Sequence, residues 1–316
     1  MRSLFKEIGG CSLKKMTMLS LAVVLFIGMA ACSIKTAEGP NSNTNTTFMH
    51  LHGLGYSADG KRLMIPVHSG LKVYANGAWS DAPGEKHDYM GFSAVDNGFY
   101  SSGHPAPGSK YKNPLGLVKS TDDGKTIAVL TLEGEVDLHG MAAGYRSHIL
   151  YVVNPQPNSK MNQAGLFYSK DEGKTWTSSP AAGLQGQMTT IAVHPDKESI
   201  VAIGTTAGAY LSKDHGQTFT ALVSGRPISA ITFMNSGDVW VAGTGPDASL
   251  VKINTESTVS VTLKLPTKDE ITYVAQNPAN PNELAIATEQ KDVYLSTDSG
   301  ATWTQIADKG NMINKK

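Results

Sequence analysis

Ser169-Lys-Asp171-Glu-Gly173-Lys-Thr175-Trp176 separates the apolar run Gly165-Leu-Phe-Tyr168 from a Thr- and Trp-rich one, and its reading decides the fold. The pattern S-x-D-x-G-x-T-aromatic recurs at Ser212 to Phe219 and Ser296 to Trp303, and at Ser120 to Ile127 with Ile in the aromatic place. The four serines lie 49, 43 and 84 residues apart, and the last interval is two periods of about 42. Repetition at this spacing, built from short strands, predicts an all-β chain folded as a β-propeller with one four-stranded antiparallel blade per repeat.

Each copy of the motif reads as a hairpin turn. The Asp accepts backbone N–H groups inside the turn, the Gly supplies a positive φ, and the closing aromatic packs back into the blade. Two decayed copies fill the gaps. Gly70-Leu-Lys-Val-Tyr74-Ala-Asn-Gly-Ala-Trp79 keeps the strand, the Gly and the Trp, while Leu250 to Val259 has lost the Asp and the Gly. Six repeats result, beginning near Met49, His87, Val136, Gly186, Arg226 and Asp269, so six blades are expected. Both terminal repeats look complete, which leaves open how the ring closes. The motif resembles the Asp-box (BNR repeat) of sialidases, sortilin-type receptors and photosystem II assembly propellers. That resemblance implies the fold over residues ~49–308; the family hosts enzymes, receptors and assembly factors alike, so it does not fix an activity.

Lys14-Lys15, the apolar run Met18 to Ala31 and Cys32-Ser33 read as an export signal, too short for a comfortable transmembrane helix. Ala30-Ala31-Cys32 resembles a bacterial lipobox, which implies removal of residues 1–31 and acylation of Cys32. An ordinary signal peptide with a chance cysteine is the alternative. The expected mature protein is then a lipoprotein on the extracytoplasmic side of the cell membrane, with residues 32–47 as a flexible polar tether and 48–316 as the propeller. Cys11 lies in the removed segment, so no intramolecular disulfide is available to it. Removing residues 1–31 takes away Arg2, Lys6, Lys14, Lys15 and Glu7, leaving 23 basic against 26 acidic residues. Four arginines in all and no basic cluster argue against nucleic acid as a partner.

In a blade whose strands run A to D from axis to rim, the Asp-box joins C to D. The D-to-A and B-to-C connections therefore share the opposite face, around the mouth of the central channel. Aligned A-strand starts give the column His52, Met90, His139, Met188, Ile228, Ile271 and, two residues earlier, His50, Asp88, Asp137, Gly186, Arg226, Asp269. The B-strand ends add His68 and His104. Five of the nine histidines thus fall on one face, with Met90 and Met188 in the same column. Imidazole and thioether together suit copper, Cu(I) above all, with Asp88 and Asp137 orienting the rings. Bland roles compete: methionine on an inner strand fills core, and a His before Gly can cap a blade junction. A His/Asp-lined pocket for a sugar or other small polar ligand is a further reading.

A sialidase needs three arginines around its substrate. Here Arg62 and Arg146 fall in A–B turns on the far face, leaving Arg226 alone at the mouth, so that activity is not expected. A two-carboxylate glycoside hydrolase using Asp88 and Asp137 stays open as the alternative from another class, with Asp269 and Glu270 also near the mouth. So does a protein-assembly scaffold, with the long B–C insertions 105–114 and 155–163 as its docking surface for a protein partner.

Overall fold

The computed structural model describes residues 47–245, 249–257 and 259–315. The expected export signal, Cys32 and the expected tether up to its last residue lie outside the described residues. Those described form six antiparallel sheets and no helix. Blade 1 comprises strands A to D at Gly55–Tyr56, Leu63–Val67, Gly70–Ala75 and Ala78–Asp81. Blade 2 has Asp88–Val95, Gly98–His104, Leu117–Ser120 and Ala128–Thr131; blade 3 has Met141–Ala143, Leu150–Asn154, Gly165–Ser169 and Thr177–Ser179. Blade 4 follows at Met188–Val193, Val201–Thr205, Gly208–Ser212 and Thr220–Ser224, and blade 5 at Ile228–Phe233, Val239–Gly243, Ser249–Ile253 and Ser260–Leu263. Blade 6 runs through Ile271–Gln276, Leu284–Thr288, Val293–Ser296 and Thr304–Asp308, and carries a fifth strand, Asn311–Met312.

The B strands explain why the blades stack. Val201–Thr205, Val239–Gly243 and Leu284–Thr288 are buried at every residue. A strand covered on both faces reads as an unbroken apolar and small run rather than an alternation, which is what Val-Ala-Ile-Gly-Thr and Leu-Ala-Ile-Ala-Thr show. The core is accordingly a set of seams between neighbouring blades. Tyr151, Ile203 and Tyr210 fill the seam of blades 3 and 4, and Trp240, Leu250 and Ile286 that of blades 5 and 6.

The four Asp-boxes are C–D turns with one shared set of bonds. In blade 3 the Ser169 hydroxyl donates to Asp171 Oδ1 (2.8 Å) and accepts from the Gly173 N–H (2.8 Å). The Thr175 N–H and hydroxyl donate to the two Asp171 oxygens at 2.9 and 2.6 Å. The residue before the Gly also has a positive φ in every box (Asp123, Glu172, His215, Ser299). The Gly is required twice over: Gly173 sits at φ +83°, and a Cβ there would lie 2.7 Å from Leu117 Cδ2 of the preceding blade. Gly124, Gly216 and Gly300 meet Leu71, Leu166 and Leu263 in the same way, so each box also docks its blade onto the one before.

Ring closure requires no strand exchange. Each four-stranded blade is contiguous in sequence, and the segment before blade 1 joins the seam of blades 6 and 1 through the Thr47–Asn311 bridge and the buried Phe48. Phe48 N–H donates to Gly310 O (3.0 Å) and Lys315 N–H to Gly77 O (2.8 Å). The Trp79 N–H donates to Asn314 Oδ1 (2.8 Å) and its indole N–H to Ile306 O (2.7 Å).

Candidate metal centre at the channel mouth

The A strands surround a central channel of about 280 Å³, with His52 and His139 at one end and Tyr145, Pro195, Asn235 and Gln276 at the other. The B–C and D–A connections lie at the histidine end, as the strand order requires. In blades 2, 4, 5 and 6 the A–B ladder shifts register directly after the column residue, at Met90, Met188, Ile228 and Ile271. Such bulges re-aim side chains.

Their effect corrects one expectation. The column does not converge on the channel as a ring. Ile228 and Ile271 are each 1% exposed and belong to the apolar seams. Met188 is half-buried and packs against the cluster of Tyr151, Ile203 and Tyr210. Met90 is half-buried on strand A of blade 2, opposite Ser102.

The seam of blades 1 and 2 has an apolar cluster of Met64, Leu71, Tyr89 and Phe99 but carries polar residues at the mouth. Among the described residues, His52, His68 and Asp88 bring three ligand atoms within 4.8 Å of one another. His68 Nδ1–H donates to Asp88 Oδ2 at 2.9 Å, and His52 Nε2 lies 3.3 Å from the same nitrogen and 3.7 Å from Asp88 Oδ1. The one proton on His68 Nδ1 is engaged by Asp88. Asp88 Oδ1 is buried and accepts no hydrogen bond among the described residues. Burial pushes His52 down to about 4 despite Asp88, and His68, His50 and His139 push the same way, which favours the neutral ring. His50 is exposed, its ring centroid 4.9 Å from that of His68.

A second group occupies the seam of blades 2 and 3. Asp137 Oδ2 lies 2.9 Å from His139 Nδ1 and 3.4 Å from His104 Nε2. Burial raises the Asp137 carboxyl above its usual value, against the pull of His139, His104 and the Ser102 hydroxyl. Sequence reasoning missed Asn113, whose Oδ1 accepts from His104 Nδ1–H at 2.7 Å. The B–C insertion folds back to bring it there, and nothing in Lys112-Asn113-Pro114 announces that contact.

Other candidates have structural employment. Asp269 accepts from the backbone of Glu270 and Gln290, and Arg226 donates to Ser249 Oγ at 3.0 Å. His194 caps a turn by accepting from the N–H groups of Asp196 and Lys197.

The family model for the BNR/Asp-box repeat matches residues 167–178, the C–D hairpin of blade 3. The chain is an Asp-box β-propeller. A stretch of 104 residues is 32% identical to a xyloglucanase of Hypocrea jecorina (strain QM6a), covering 31% of this chain and 12% of that protein. Among solved structures, a GH74 enzyme of Niastella koreensis superimposes with a TM-score of 0.55 at 17% identity over 82% of this chain. The GH74 xyloglucanase of Xanthomonas campestris gives 0.51 at 14% identity over 83%. At these identities the likeness is one of fold. This Asp-box propeller spans 45% and 46% of the two GH74 chains, under half of each.

Proposed function

We propose that this Asp-box propeller is a lipid-anchored, extracytoplasmic protein that binds a divalent transition-metal ion at its channel mouth through His52, His68 and Asp88. The observation that carries the reading is the convergence of two imidazole nitrogens and a carboxylate oxygen within 4.8 Å. A cation there would be met by His52 Nε2, by the buried Asp88 Oδ1, which accepts no hydrogen bond among the described residues, and by His68 Nδ1 once its proton has moved to Nε2. Three protein ligands leave a position open for water or a ligand. The donors of this group are nitrogen and oxygen, which suits Cu(II), Zn(II) or Ni(II) better than Cu(I). Titration of the full chain with Cu(II) and Zn(II) tests this: tight binding weakened at least tenfold in His52→Ala and His68→Ala supports it, and unchanged affinity in both folded variants contradicts it.

A second reading, glycoside hydrolysis with Asp88 and Asp137, has its own support. The 104-residue likeness to a xyloglucanase points to that class, and a carboxyl raised by burial, as Asp137 is, is what a general acid requires. Release of reducing sugar from xyloglucan, abolished in Asp137→Asn and kept in His68→Ala, would favour this reading over the metal.

A further inference from the structure

Asp88 stands at the end of an exposed connection. Pro83, Gly84, Glu85 and Lys86, which lead to it from strand D of blade 1, are all exposed, whereas His87 is 2% exposed. At the equivalent place of blade 3, directly before Asp137, the buried residue is Val136, packed in the apolar cluster of Leu132, Leu138 and Met161. An apolar side chain would serve at position 87 as well if packing were the whole requirement.

His87 does more than pack. Its ring meets Tyr89 and Tyr111 edge-on, with centroids 5.6 and 5.5 Å away. Its Nδ1 accepts the Ala106 N–H at 3.0 Å. A backbone amide can only donate, so the direction of this bond is settled. Ala106 and Tyr111 both belong to the insertion between strands B and C of blade 2. That insertion is itself tied down. The Tyr111 hydroxyl donates to Ile127 O at 3.1 Å, the Lys112 N–H to Glu133 Oε1 at 2.9 Å, and the Gly134 N–H to Pro114 O at 2.7 Å.

We infer that His87 is a positioning residue for the metal site, with the insertion 105–114 as its brace. The bond from Ala106 holds His87, and His87 holds the backbone from which Asp88 reaches His68 at 2.9 Å and His52 at 3.7 Å. The inference rests on the metal reading above for its ion and adds a residue that touches no ion. It also gives the insertion a task within the fold.

Two substitutions separate the bond from the packing. His87→Phe keeps a ring between the two tyrosines and removes the acceptor, whereas His87→Asn removes the ring and keeps an acceptor at the place of Nδ1. Each is titrated with Cu(II) as the full chain by calorimetry, and the loaded protein is read by electron paramagnetic resonance. His87→Phe should bind about tenfold more weakly than the wild type, with a spectrum moved toward that of Asp88→Asn. His87→Asn should recover most of the affinity and the wild-type spectrum, which a role in packing alone would not allow. Near-ultraviolet circular dichroism verifies that the variants are folded. Wild-type affinity and spectrum in His87→Phe would refute the inference and leave the metal site standing, as would equal losses in the two variants. If the wild type binds no Cu(II), the metal reading fails, and crystal structures of the metal-free proteins decide the rest. Asp88 swung away from His68 in His87→Phe then sustains the positioning role, and an unchanged 2.9 Å contact overturns it.

Discussion

At the scale of single residues, the mouth depends on two imidazoles gathered around one half-buried carboxylate. His52 is neutral down to about pH 4 because burial outweighs its attraction to Asp88, and Asp88 Oδ1 is buried without a donor. Asp88→Ala should therefore weaken Cu(II) or Zn(II) binding at least tenfold, measured by calorimetric titration. Met188→Leu should leave it unchanged, since the half-buried Met188 packs against the cluster of blades 3 and 4. A tenfold loss in Met188→Leu would put sulfur back in the site. The histidines were legible because the repeat marks equivalent positions, and equivalent positions share a face. What Met188 packs against was not, because a bulge follows that residue, and bulges leave no mark in an apolar run. Asn113 was hidden for another reason: the fold of an insertion between repeats has no counterpart to align with.

At the scale of the element, the Asp-box is both a turn and a joint between blades. Gly173→Ala must place a Cβ at φ +83° and 2.7 Å from Leu117 Cδ2, so it should cost about 1–3 kcal/mol in denaturant unfolding. Gly225 has a similar φ, +81°, and nothing within 4 Å. Gly225→Ala should cost only the backbone strain, about 1 kcal/mol. Equal costs at the two sites would mean that the joint contributes nothing. The boxes also set the acid limit. Hydrogen bonds from Thr175, Thr218 and Thr302 hold Asp171, Asp214 and Asp298 down to about 2, below the ordinary 3.8. In the unfolded chain these groups protonate near the ordinary value, so their stabilisation is complete above about pH 4 and is lost as pH falls through about 2. Thermal unfolding between pH 5 and 2 should show that loss, and Asp171→Asn/Asp214→Asn/Asp298→Asn should flatten it; an unchanged slope would place the acid sensitivity elsewhere. The box motif was readable as a turn from its Asp and Gly, but its contact with the preceding blade was not, because the partner leucine lies about a blade away in sequence.

At the scale of the whole molecule, six blades were countable from the period even though two boxes have decayed, since strand lengths and turn residues outlast the motif. Closure was not countable, because the latch is made by residues outside every repeat: Phe48, Gly310, Asn314 and Lys315. Deleting residues 311–316 should lower the melting temperature and raise amide exchange in blades 1 and 6 ahead of blades 3 and 4, as hydrogen exchange would show. Uniform protection across all six blades after the deletion would mean that the seam of Tyr56, Ile65 and Ile306 holds the ring without the latch. The ring matters to function because each polar group at the mouth straddles a seam, so its geometry exists only while neighbouring blades keep register. The most direct measurement is anomalous diffraction from a crystal of the protein grown with Zn(II), collected at the zinc edge. The expected result is a peak within bonding distance of His52 Nε2, His68 Nδ1 and Asp88; a map with no peak at the channel mouth would contradict the account.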